Sequence, residues 1–421
     1  MKRSDAKTIS EKILSNKSEL DAYAGDIVEA EVDYVMVNDV TAPLAFKEFE
    51  ALGCDIHREK IVLVPDHFVP NKDIASAEQA AEMRRFAKRW KIDNYYEVGR
   101  GGVCHQVMVD EGYAAPGRLI VGADSHTCTY GAVNAFSTGV GSSEAAAVFA
   151  EGKLWFKVPE SIKVKLEGAM RKYVSGKDLI IKLITDIGVD GANYKTLEFG
   201  GKGLSNFPVS DRLTVSNMAI EAGGKAGIFP ADSETLHFVR KFAKGKWEKV
   251  DPDPDANYID ERDYNLNDLV PMVAMPNLPE NGRPVSEVDV EIDQAFLGSC
   301  TNGRIEDLRI AAEIIKGKKV APSVRMIVVP ASSLIYRQAD EEGLIAIFAK
   351  AGAFVSGPTC AACLGGHMGV LAKGERCVST TNRNFIGRMG HKDSEVYLAS
   401  PAVVAASAVE GKIVAPQGDG T

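Results

Sequence analysis

The sequence predicts an α/β fold with mostly parallel sheets. In the last third of the chain, short apolar runs alternate with helix-patterned segments, and strands that alternate with helices pair in parallel. Polar, glycine-bearing motifs follow the ends of those runs, where open parallel sheets bind their ligands. The 421 residues, 45% apolar and 25% charged, suffice for two or three domains of ordinary globular composition. Changes in residue pattern divide the chain into units at 1–160, 161–284 and 285–421.

In the first unit, Ile61–Pro65 and Leu119–Ala123 read as strands and Ala75–Lys91 as a helix. Both strands run into histidine-bearing loops. "PDHFVP" gives Asp66–His67, and "GADSHTCTYGA" gives Asp124, Ser125 and His126. "GVCHQV" adds His105 and Gln106. An aspartate beside a histidine orients and charges the imidazole. Three consecutive residues do not form a Ser–His–Asp triad among themselves, so acid–base or hydrogen-bonding roles are expected. One such histidine is ordinarily structural; three in glycine- or acid-flanked loops of one region point to a site. The glycines after Asp124 lack the spacing of a Rossmann or Walker loop, which excludes a dinucleotide or ATP site.

From Glu160 the pattern changes. "SIKVKLEG" alternates as a strand, and Gly176–Gly188 reads as a helix. "SNMAIEAGG" sets Asn217 and Glu221 four apart, on one face of a helix. A solvated or capping role is the ordinary fate of such a glutamate; a buried carboxylate is the functional one. Arg240–Lys249, the densest basic run, reads as a solvated helix face or loop. The Pro-, Asp- and Asn-rich text over 250–284 reads as a linker crossing the surface.

The third unit repeats one pattern. Strand Gln294–Leu297 leads to GSCTNG and helix Ile305–Ile315. Strand Arg325–Val329 leads to PASS and helix Leu334–Glu342. Strand Ala353–Ser356 leads to GPTCAAC, and strand Arg376–Ser379 leads to TTNRNF. The motifs at 298–303, 331–333, 357–363 and 380–388 therefore converge on one sheet edge. That convergence brings Cys300 to Cys360 and Cys363.

The beginning of the chain lacks the apolar core of a signal peptide, and no apolar run reaches the roughly 18 residues of a membrane span. A cytoplasmic protein without disulfides is expected, and seven scattered cysteines form no disulfide framework. A net charge of −9 argues against a nucleic-acid partner. For the three clustered thiols, a redox pair fits poorly, because glycines follow Cys363 where a helix should open. Structural zinc needs four ligands, with His367 or Cys377 as the fourth. An iron–sulfur cluster on three cysteines leaves one iron free to act as a Lewis acid. Spacing alone leaves zinc and cluster level, with unrelated thiols close behind. Cys377, in "RCVS", reads as a small buried hydrophobe, and core packing is the default for Cys54, Cys104 and Cys128. In "TTNRNFIGRMG", Arg383 and Arg388 stand among Asn382 and Asn384. Surface ion pairs are the commoner fate of arginine, but guanidinium forks beside a strand end suit substrate carboxylates.

Taken together, DSHT (124–127), VCHQ (103–106), NMAIE (217–221), GSCTNGR (298–304), CAAC (360–363) and NRNFIGR (382–388) resemble the aconitase superfamily over essentially the whole chain. The likeness is to the large subunits of its archaeal-type, two-chain members. It implies a three-domain, aconitase-like α/β/α architecture around one [4Fe–4S] cluster per chain, with Cys300, Cys360 and Cys363 as metal ligands. It implies catalytic roles for Asp66, His67, His105, Asp124, His126 and Glu221. It implies substrate binding by Ser125, Arg383, Arg388, Asn217 and Asn382, the two amides standing near the cluster. The reaction implied is dehydration and rehydration of a small hydroxy-di- or tricarboxylate. In this superfamily the base is a serine on a swivelling fourth domain. Here that domain is expected on a separate small subunit, in a heterodimer or heterotetramer, so the chain alone should be inactive. No nucleic-acid or membrane partner is implied. Asn38 and Tyr130 stand where relatives usually carry other polar residues. A zinc-stabilised module or an RNA-binding, non-catalytic relative is the alternative of a different class; the acidic balance and intact motifs oppose the second.

Overall fold

In the first sheet apolar runs become strands without polar alternation, because both of its faces are packed into core. The computed structural model describes residues 5–416. The first sheet has four parallel strands in the order Ile61–Val64, Tyr34–Asn38, Leu119–Gly122 and Phe136–Gly139. Ile61–Val64 and Leu119–Gly122 are buried throughout. Helices Ala42–Leu52, Ile74–Trp90 and Ser142–Glu151 contribute Phe46, Phe49, Phe86 and Phe149 to the core over this sheet. An antiparallel ribbon, Ile27–Glu31 with Lys153–Lys157, flanks it in sequence.

The second sheet is also parallel, in the order Asp260–Asn265, Ser161–Glu167, Thr196–Gly200 and Ala226–Ile228. Helix Gly176–Ile187 buries Leu179, Ile180 and Leu183 in a core that also includes Phe296 and Leu398 of the third sheet. The third sheet runs Gly282–Pro284, Met272–Ala274, Glu395–Ala399, Arg376–Ser379, Gln294–Leu297, Arg325–Val328 and Phe354–Val355. Its last five strands are mutually parallel, and its first two pair antiparallel. Helices Ile305–Ile315 and Ser333–Glu341 follow their strands as the residue pattern predicts.

The linker reading of 250–284 is corrected. Asp260–Asn265 pairs with Ser161–Glu167, and Met272–Ala274 and Gly282–Pro284 extend the third sheet. Asp260–Asn265 has four exposed residues, and charge on such an edge blocks further pairing. The prolines are tolerated because Pro284 closes an edge strand, where no ladder hydrogen bond needs its nitrogen. The basic run 240–249 lies in turns after helix Ser233–Val239 and is largely exposed, as expected of a solvated segment.

Candidate active site

The carboxyl ends of the first and third sheets face a common cavity of about 220 Å³. Every predicted site residue except Asn217 and Glu221 lines it. The loop after Ile61–Val64 is fixed by Asp39, which follows the neighbouring strand. Its carboxylate accepts the backbone N–H groups of Asp66 (3.0 Å), His67 (2.9 Å) and Phe68 (2.8 Å). Asp66 then splits its two oxygens. One meets His67 Nδ1 at 2.6 Å; the other accepts the Cys104 N–H at 2.7 Å, where helix Cys104–Asp110 begins. Burial opposes a charge on His67, but Asp66, Asp124 and Asp39 outweigh it and push the imidazole up to about 10. His67 is therefore an imidazolium at neutral pH.

Asp124 is the hub of the remaining polar network. One oxygen accepts the His126 N–H (2.9 Å) and meets His105 Nε2 at 3.0 Å; the other accepts from Asn38 Nδ2 at 3.3 Å. Burial works against its charge, yet the His105 and His126 contacts hold this carboxyl well below the ordinary range. The other ring nitrogen of His105, Nδ1, lies 2.9 Å from the Tyr130 hydroxyl. Asn38 and Tyr130 thus extend the same network. His126 Nε2 lies 2.9 Å from Glu221 Oε1, which also accepts from Arg383 Nε at 2.8 Å. Glu221 is the buried carboxylate of the two readings, and it acts from behind His126 and Arg383 rather than from the cavity wall. An Asp124→Asn substitution removes the charge from the hub. Turnover is expected to fall about 10²–10⁴-fold, the usual worth of positioned acid–base groups; steady-state kinetics at unchanged thermal stability checks this.

The thiols arrive on strained turns. Ser299, before Cys300, has φ +77°, and Ala361, after Cys360, has φ +50°; non-glycine residues in this region cluster at functional sites. The Cys360 N–H and the Thr359 hydroxyl both donate to the Asp66 carbonyl, at 2.8 and 2.9 Å. This tie joins the thiol loop of the third sheet to the acid–base loop of the first. The Asn217 and Asn382 amides each donate to Cys300 Sγ at 3.3 Å. The Arg388 guanidinium stands 4.0 Å from Cys363 Sγ. Contact with Cys360 holds Cys363 well below the usual thiol range and raises Cys360, while burial pushes Cys300 up to about 12. These donors stabilise electron-rich sulfur, as cysteine ligands of a metal centre require.

The donor set fits a cluster better than a single ion. Four ligands about 2.3 Å from one zinc lie close together. Among the described residues the compact set within 4.8 Å is Asp39, Asp66 and His67, not the three sulfurs. Both zinc-completing candidates are also engaged elsewhere. His367 Nε2 is 2.8 Å from the Pro70 carbonyl, and Cys377 lies in the core on strand Arg376–Ser379.

Asn217 stands behind the cavity rather than in its lining. It is fully buried, and its amide is bonded to Thr129, Cys300, Thr301 and Asn382. It can support sulfur but does not reach the cavity. The PASS motif also has a different task. Ala331 and Ser333 pair through their backbones with Val103 and Gly101, and the Ser332 hydroxyl donates to Asp110 at 2.5 Å. The motif clamps the helix that carries His105. Sequence reasoning missed Asp39, whose only signal was its place after a strand, and the apolar wall of Val40, Val103 and Leu364. Cys104 lines the cavity as well, while the Cys128 thiol donates to the Asn217 carbonyl behind it.

Buried thiols, paired imidazoles and two arginines at the meeting edge of parallel sheets define a hydro-lyase site of the aconitase class, and the chain belongs to the aconitase family (aconitate hydratase), whose model matches residues 11–290 and 286–411. Membership implies an iron–sulfur cluster. Among curated relatives, a 3-isopropylmalate dehydratase large subunit from Caldanaerobacter subterraneus subsp. tengcongensis is 55% identical over 97% of this chain and 99% of its own length. Proteins of the same name from Thermodesulfovibrio yellowstonii and Moorella thermoacetica are each 54% identical over 97% of this chain and 98% of their own length. A solved structure, the holo-form of Thermococcus kodakaraensis aconitase X, superposes with TM-score 0.51 at 12% identity, covering 89% of this chain and 88% of that one; it shares the fold. Among the described residues no helix is long and apolar enough to cross a membrane.

Proposed function

We propose that the chain is the large, catalytic subunit of a cytoplasmic 3-isopropylmalate dehydratase, interconverting 2- and 3-isopropylmalate in leucine biosynthesis together with a separate small subunit. The observation that carries this reading is the meeting of three buried thiols, two arginines and two histidine–carboxylate pairs in one cavity, with Glu221 backing a third histidine from behind it. The names of the relatives support the substrate. So does the cavity: two guanidiniums suit two carboxylates, and Val40, Val103 and Leu364 offer an apolar wall for an isopropyl group. The homoaconitase alternative needs a cation for a third carboxylate, and no lysine or further arginine is among the described lining residues.

Cys300, Cys360 and Cys363 would hold one [4Fe–4S] cluster, which supplies Lewis acidity toward a substrate hydroxyl at its iron without a protein ligand. The rest of the chemistry falls to side chains. Arg383 and Arg388 orient the substrate through its carboxylates. His67 holds a proton on Nε2 for the departing hydroxyl, and Asp124, with His105, is placed to receive one when water returns. Ser125 contacts the substrate. The base that removes the carbon-bound proton is assigned to the small subunit, on its swivelling domain.

The test is anaerobic iron and sulfide analysis with EPR, on the chain alone and with its small subunit, followed by isopropylmalate and homocitrate assays. About four irons per chain, with isopropylmalate turnover only in the pair, is the expected result. Zinc in place of iron, or turnover of homocitrate alone, overturns it.

A further inference from the structure

Lys177 is completely buried. It stands in the first turn of helix Gly176–Ile187, where the Ser175 hydroxyl accepts its backbone N–H. Its ammonium donates to the carbonyls of Thr380 (2.9 Å) and Thr381 (2.5 Å). Among the described residues it has no carboxylate hydrogen-bonded to it. Burying an ammonium on two neutral carbonyls is costly, and an apolar side chain of the same volume would ordinarily pack better. A nearby anion changes that balance. Thiolate sulfur at Cys300 and Cys363, as a bound cluster would hold it, most favours the Lys177 charge, ahead of Asp307 and Asp178. Burial outweighs these groups and pushes the ammonium down to about 7.

The two carbonyls also matter by position. They directly precede Asn382, whose amide reaches Cys300 Sγ, and Arg383, which braces Glu221. One side chain thus fastens the turn that carries a sulfur ligand's donor and a guanidinium of the cavity.

We propose that Lys177 is a positioning residue for the sulfur site, its buried ammonium fastening the Thr380–Asn382 turn and serving as a counter-cation to the Cys300 and Cys363 sulfurs once a cluster is held. The proposal rests on the cluster reading above. It goes beyond that reading by assigning a residue outside the cavity a role in cluster potential and retention.

The test uses the complex reconstituted anaerobically, with Lys177→Met, Lys177→Gln and Lys177→Arg compared against wild type. Gln keeps amide donors and removes the charge; Arg keeps the charge. A removed cation leaves a nearby centre harder to reduce. Both neutral variants are therefore expected to show a more negative midpoint potential and faster iron loss in air, with Arg nearer to wild type. Neutral variants that fold and match wild type in potential and iron retention overturn the proposal. So does a failure of both neutral variants to fold while Arg folds, because Lys177 would then serve the fold alone. A wild-type chain that takes up no cluster would instead sink the reading on which the proposal rests.

Discussion

Cys360→Ser is expected to abolish cluster assembly and turnover together while leaving the fold in place. The Cys360 thiol faces the cavity, and its turn is held by backbone bonds to Asp66 that serine would keep. The hydroxyl is a far weaker iron ligand than thiolate, since soft sulfur donors are what such clusters select. Iron and sulfide per chain should fall to background, with an unchanged far-ultraviolet circular dichroism spectrum. Cys377→Ser is the informative control. That thiol is fully buried between strands of the third sheet, so its loss is expected to touch stability and leave iron content alone. A Cys360→Ser protein with full iron and normal activity would falsify the three-thiolate assignment.

The parts of this fold that could be read from sequence are those in which local pattern and tertiary role agree. IVLV and LIVG are visible as strands because both sheet faces are covered. Asp260–Asn265 was hidden because an edge strand with charged, exposed residues reads as a loop. Met272–Ala274 and Gly282–Pro284 were hidden because three-residue strands are set by the strands beside them rather than by their own residues. The site follows the same division. Asp66, His67, Asp124 and the cysteines stand in motifs directly after strand ends, so topology alone gathers them. Asp39 acts through backbone N–H groups 27 to 29 residues away, and Lys177 through carbonyls 203 and 204 residues away. Neither partner set leaves a local trace; Lys177 in "GKD" reads as a solvated lysine at a helix start.

Arg383→Lys should be the most damaging conservative change in the cavity. Arg383 uses Nε to donate to Glu221 Oε1, which leaves the two terminal nitrogens of the same plane for a substrate carboxylate. The Arg383 side chain is 21% exposed and that of Glu221 only 2%, so the pair is well shielded from water. A lysine offers one ammonium at the end of a flexible stem. It can approach Glu221 or the substrate, but it does not reproduce a rigid fork that binds both. Charge-assisted hydrogen bonds are worth about 1.5–3 kcal/mol each, so losing one or two of them predicts a fall in kcat/KM of roughly 10²-fold. The division of that loss is informative. If Arg383 only held the substrate, KM would rise with kcat little changed. Glu221 also contacts His126, however, at 2.9 Å. Releasing the brace on Glu221 should misplace an imidazole of the acid–base network, so kcat is expected to fall as well. Glu221→Gln keeps an oxygen for either neighbour and removes the charge that both share. It should therefore lower kcat with a smaller change in KM, and wild-type kinetics in the Arg383→Lys protein would remove Arg383 from the site.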